Sequence, residues 1–158
     1  MISKEIIKKL NIMAPPYLAE KWDNSGLQIG SYHKKINNIL VSLDVRPKTV
    51  EYAIKNKIDM IISHHPVLFN SLKSICKDST KGKMIYDIIK NDIVVFSAHT
   101  NLDATNNSIN DILSQQLNLE ELEILNKTYE EKLYKIVVFV PRDHGNEVRN
   151  AMLEKGAG

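Results

Sequence analysis

Between residues 37 and 117, short apolar runs alternate with stretches whose apolar residues recur every three or four positions. The runs NNILVSLD (37–44), IDMIIS (58–63) and IVVFSA (93–98) are almost wholly apolar at their centres, as strands buried on both faces of a parallel sheet are. RPKTVEYAIKNK (46–57), TKGKMIYDIIKND (80–92) and NNSINDILSQQL (106–117) carry helical periodicity. Pro47 suits a first helical turn, and Ile109, Ile112 and Leu113 form the apolar face of the last of these helices. The alternation predicts βαβ units with at least three parallel strands in 37–98, hence an α/β fold: a parallel or mixed sheet flanked by helices.

Before this region, residues 3–13 place Ile6, Ile7, Leu10 and Met13 on one helical face, with Ser3 as a cap and Pro15-Pro16 as the stop. WDNSGLQIG (22–30) reads as loop with a short strand. After residue 117 the pattern changes. A strand is expected at 133–140 and a helix near 144–155, separated by a turn at Pro141 and Gly145. This strand should lie outside the first sheet and begin a second small α+β domain. The division expected is 1–130, a metal-binding α/β domain, and 131–158, an incomplete second unit, so that the chain reads as a fragment.

Composition narrows the picture. A length of 158 residues fits one domain, or one and the start of another. Hydrophobic residues make up 43% but aromatic ones only 6%, so the core should be aliphatic. With 21 basic against 19 acidic residues, bulk charge gives no indication of a nucleic-acid partner. A single cysteine, Cys76, cannot build a disulfide framework and reads as a free thiol. Apolar runs stop at about five residues where a membrane helix needs about twenty. These features predict a soluble, cytoplasmic protein without a membrane partner.

The candidate chemistry lies at strand ends, where open α/β sheets bind ligands. His64-His65-Pro66 follows the run 58–63, HTNLD (99–103) follows 93–98, and Asp44 closes 37–44. Neighbouring parallel strands would bring them to one rim. Successive side chains of an extended chain point to opposite sides, and Pro66 favours extended angles at His65. Two imidazoles so held suit two ions a few ångströms apart better than one. Imidazole with carboxylate suits zinc, iron, manganese or nickel better than calcium. Each residue also has a plainer reading. His99 could hydrogen-bond a ligand instead of being one, Asp103 could cap the helix near Asn106, and Asp44 could be a structural loop residue. His33 and His144 read as surface residues.

WDNSGLQIG, the strand ending LDV, SHHPVLF and HTNLD occur in an order and spacing that resemble the NIF-three-like family, the GTP cyclohydrolase I type 2 homologues. The resemblance covers essentially the whole chain, and IVVFVPRDHGNEVRNAMLEKGAG resembles the opening of the domain that longer members insert. It implies an α/β fold, a toroidal homohexamer and a dinuclear centre of two divalent metal ions. His64 would bind one ion, His65 the other, and Asp103 would be a further ligand. Similar proteins complete the site with a histidine and a bridging glutamate near the C-terminus, which this sequence lacks. The first expectation is a metal-dependent hydrolase of a nucleotide-like or cyclic small molecule, with His99 orienting water or substrate. The alternative is a non-catalytic metal-binding regulatory or assembly protein.

Overall fold

A computed structural model describes residues 1–125, 127, 129–130 and 132–157. The elements are α1 (Ser3–Met13), β1 (Gly26–Ile29), β2 (Ile39–Ser42), α2 (Pro47–Lys55), β3 (Met60–Ser63), α3 (Thr80–Lys90), β4 (Val94–Ser97), α4 (Thr100–Asp103), α5 (Ile109–Gln116) and α6 (Gly145–Glu154). Four strands form one mixed sheet in the order β1-β4-β3-β2. β2, β3 and β4 are parallel, joined through α2 and α3, and β1 pairs antiparallel with β4.

β3 and β4 are apolar because they are covered on both faces. β2, at the sheet edge, is covered on one face only and leaves Ile39 and Val41 exposed, contrary to the expectation of burial on both faces for 37–44. On one face Val50 and Ala53 of α2 and Met84 and Ile88 of α3 pack against Ile61 and Val95. On the other, Ile7 of α1 packs with Ile36, Met60, Val94 and Phe96. Alternate residues of β3 and β4 thus feed two aliphatic layers, and each fully buried side chain contributes about 1.5–3 kcal/mol. The register sets Ser42, Ser63 and Ser97 in one row across β2, β3 and β4. The chain leaves the sheet just beyond that row, so the residues two positions on, Asp44, His65 and His99, emerge along one rim.

Several expectations need correction. Ser3 is the first helical residue of α1, not its cap; Ile2 takes the cap position. The Ser3 hydroxyl instead donates to the Ser31 carbonyl, which ties α1 to the loop after β1. The stretch 133–140 is not a strand over its described residues. Extended backbone is stable only when its amides and carbonyls find a ladder partner, and none is paired with this stretch. Leu133, Tyr134 and Phe139 are exposed there. Residue 131, where a second unit is expected to begin, lies outside the described residues. Ile109, Ile112 and Leu113, the apolar face of α5, are exposed rather than packed. Among the described residues, no helix is long and apolar enough to cross a membrane.

Candidate metal centre

At the end of β3 the chain bends, and His64 and His65 no longer alternate as strand residues do. Their rings lie with centroids 5.0 Å apart, and the His99 ring stands 5.3 Å from His64 and 5.7 Å from His65. The bend removes the strict opposition of the two imidazoles that an extended backbone implies. His64, His65 and His99 each offer a nitrogen, and these atoms lie within 4.8 Å of one another. The three histidines could hold a metal ion.

Hydrogen bonds determine which nitrogen is free. His64 Nδ1 lies 2.9 Å from the carbonyl of Ala98, which can only accept. His65 Nδ1 lies 2.8 Å from Asp44 Oδ1, and His99 Nδ1 lies 2.8 Å from Asp23 Oδ1. Ionised carboxylates also only accept, so each Nδ1 carries the hydrogen. In its neutral form each imidazole would therefore keep its lone pair on Nε2. A second ring nitrogen anchored on a carboxylate or carbonyl is the usual support of a metal-binding histidine. This pattern is the fit of the donor set to a divalent transition metal.

Asp103 lies beside the group. Its Oδ2 lies 3.8 Å from His64 Nε2, on the lone-pair side of the ring. Two ligands at 2.0–2.2 Å from one tetrahedral ion stand roughly 3.3–3.6 Å apart, so a small side-chain adjustment would bring both to one ion. Asp103 ends the single turn of α4, and α5 is capped by Ser108, so Asp103 does not cap the following helix. Buried Asn101 accepts the His99 amide and donates to the Ala14 carbonyl, fixing α4 against the end of α1.

The second carboxylate behind the histidines is one the sequence reading did not single out. The Asp23 side chain is fully enclosed. It accepts from His99 Nδ1, from the Thr100 amide at 3.2 Å, from the Asn24 amide at 2.7 Å and from the hydroxyls of Ser25 and Thr100. Burial pushes its carboxyl up, but the donors outweigh burial, Ser25 foremost, and hold it far below the usual carboxylate range. The only sequence signal was a carboxylate among turn formers. Asp44, read as a loop residue, takes His65 on Oδ1 and Arg46 on Oδ2 at 2.8 Å. The His65 hydrogen bond, opposed by some desolvation and aided by the Arg46 charge, holds it below its ordinary value.

Trp22 and Phe69 form an aromatic edge beside His99, with centroids 6.4 and 6.1 Å from its ring. His33 and His144 are exposed and stand outside the cluster, as does the exposed thiol of Cys76. A larger groove of about 620 Å³ runs between α2 and α3, but it holds no histidine of the cluster.

The family model described as Duf34/NIF3 (NGG1p interacting factor 3) matches residues 1–156. A Bacillus subtilis protein named GTP cyclohydrolase 1 type 2 homolog is 41% identical over 155 residues, 98% of this chain and 42% of the relative. The chain thus spans about two fifths of the length of that relative. The crystal structure of a Bacillus cereus protein related to NIF3 superposes with a TM-score of 0.84 at 43% identity, over 99% of this chain and 43% of that one. Reduced HcgD from Methanocaldococcus jannaschii gives a TM-score of 0.76 at 35% identity, over 81% and 51%.

Proposed function

The chain belongs to the Duf34/NIF3 family, and from that premise we propose that its rim holds two divalent metal ions that serve hydrolysis of a nucleotide-like or cyclic small molecule. One observation carries the reading: three imidazoles, each with Nδ1 committed to an acceptor, each offer a ring nitrogen within 4.8 Å of the others. His64, His65 and Asp103 would hold the ions, and zinc, iron, manganese and nickel match the donor set. When bound, such ions supply Lewis-acid chemistry, polarising a substrate oxygen and acidifying water.

The chain's own residues do the rest. Asp44 and the Ala98 carbonyl orient His65 and His64. Asp23 fixes the tautomer of His99, so that its Nε2 can accept a proton or orient a water beside the ligands. Trp22 and Phe69 supply an apolar edge against which a planar ring can lie. Cytoplasmic location and homohexameric assembly belong to the same proposal.

The test is a screen of metal-loaded protein against nucleotides and cyclic small molecules, with His65→Ala and His99→Gln beside it. His65→Ala should lose both metal and turnover. His99→Gln should keep the metal and lose at least about a hundredfold in rate, the ordinary contribution of a positioned acid–base group. Metal binding without turnover on any substrate would instead mark a regulatory or assembly protein.

A further inference from the structure

Beside the metal centre lies a recess of about 340 Å³ whose wall includes Asp44, Arg46, His65, Thr80, Lys81 and Met84. That volume falls within the range of small-molecule sites, about 300–1,000 Å³. His65 belongs to both the recess and the histidine cluster, so a molecule in the recess reaches the centre. Charge in the recess is unequal: Arg46 and Lys81 face one carboxylate, Asp44. That carboxylate is already engaged on both oxygens, by His65 and by Arg46.

Arg46 meets Asp44 through one terminal nitrogen, and its side chain is 73% exposed. The remainder of its donor fork has no carboxylate among the described residues. Lys81 has no ion-pair partner among them at all. The Thr80 hydroxyl adds a neutral donor. A guanidinium held at one edge, an unpaired ammonium and a hydroxyl are the donors an oxyanion needs. Three separate donors suit the three terminal oxygens of a phosphate monoester better than the two oxygens of a carboxylate.

We propose that this recess binds a phosphate group of the substrate, with Arg46 and Lys81 as specificity-determining residues. Its role in a reaction rests on the hydrolytic reading of the histidine cluster; the binding itself does not.

The experiment uses the full 158-residue chain stripped of metal, so that phosphate has no ion to coordinate. Methyl phosphate and inorganic phosphate are titrated at constant ionic strength, followed by the NMR signals of backbone amides and arginine Nε–H groups. Saturable shifts are expected at Arg46, Thr80 and Lys81. Affinity should fall about tenfold in Arg46→Gln and in Lys81→Gln, the loss of one charge-assisted contact. Lys55→Gln, an exposed cation outside the recess, should leave it unchanged. Arg46→Gln also releases Asp44, so Lys81→Gln is the decisive variant. No saturable shift with methyl phosphate, or unchanged affinity in Lys81→Gln, overturns the proposal. Inorganic phosphate bound with methyl phosphate excluded also overturns it, since the recess would then take only the free ion. Turnover is not read, so an inactive protein that binds methyl phosphate sinks the hydrolase and leaves the recess standing.

Discussion

Asp23 shows how far a functional side chain can depend on a residue remote in sequence. It sits 76 positions before His99, and five donors converge on its enclosed carboxylate. Without that acceptor, nothing among the described contacts of the His99 ring selects its tautomer. Supporting partners of this kind change metal affinity or activity by about 10–100-fold. Asp44→Asn should therefore weaken zinc binding by that factor, because it acts on His65, a proposed ligand. Asp23→Asn should leave zinc affinity within about threefold and cut turnover, because it acts on His99. Isothermal titration beside the activity assay separates them, and equal losses of zinc in both variants would make His99 a ligand. His64 and His65 were legible from their adjacency at a strand end. Asp23 was not, because its partner becomes a neighbour only once β1 pairs antiparallel with β4.

At the scale of elements, β3 and β4 were readable because burial on both faces makes their apolar runs continuous, and the half-exposed edge strand β2 was readable from its aliphatic run alone. The direction of β1 was not, since a short strand in a glycine-containing loop carries no sign of its partner. α4 was hidden for a related reason: a single turn cannot show helical periodicity. β2 and β4 end before their runs 37–44 and 93–98 do, because the chain leaves the sheet just past the serine row; β3 ends with its run, at Ser63. The start of β2 is held by Asp59, whose carboxylate accepts the amides of Asn37 and Asn38 at 2.8 and 3.0 Å. Desolvation raises its pKa, but these hydrogen bonds and the Lys34 charge outweigh that and bring it below 3.8. A depressed folded value means stabilisation that is present above the unfolded pKa and lost as pH falls through the folded one. Asp59→Asn should cost about 1 kcal/mol at pH 7, after allowance for screening. The gap to the parent should shrink below about pH 4 in urea unfolding, and a gap independent of pH would refute the account.

Among the described residues the buried apolar core is confined to one part of the chain, whereas exposed apolar residues run along all of it. Every buried apolar residue among those described lies between Ile7 and Ala98. Val41 and Leu43 on the β2 edge, the apolar face of α5 and the stretch from Leu133 to Phe139 are exposed instead. Exposed apolar area attracts hydrophobic probes. The division near residue 130 then becomes a physical claim: the later residues add little to the cooperative unit. Tyr129 does pack against Tyr17, with ring centroids 4.6 Å apart, and such a pair is worth about 0.5–1.5 kcal/mol. A chain ending at residue 120 should therefore unfold in one transition, within about 1.5 kcal/mol of the parent. It should bind zinc with the same affinity, since His64, His65, His99 and Asp103 all precede the cut, and bind much less of a fluorescent apolar dye. Loss of the cooperative transition would show that residues 121–158 belong to the same folding unit, and undiminished dye binding would place the dye-binding surface before the cut.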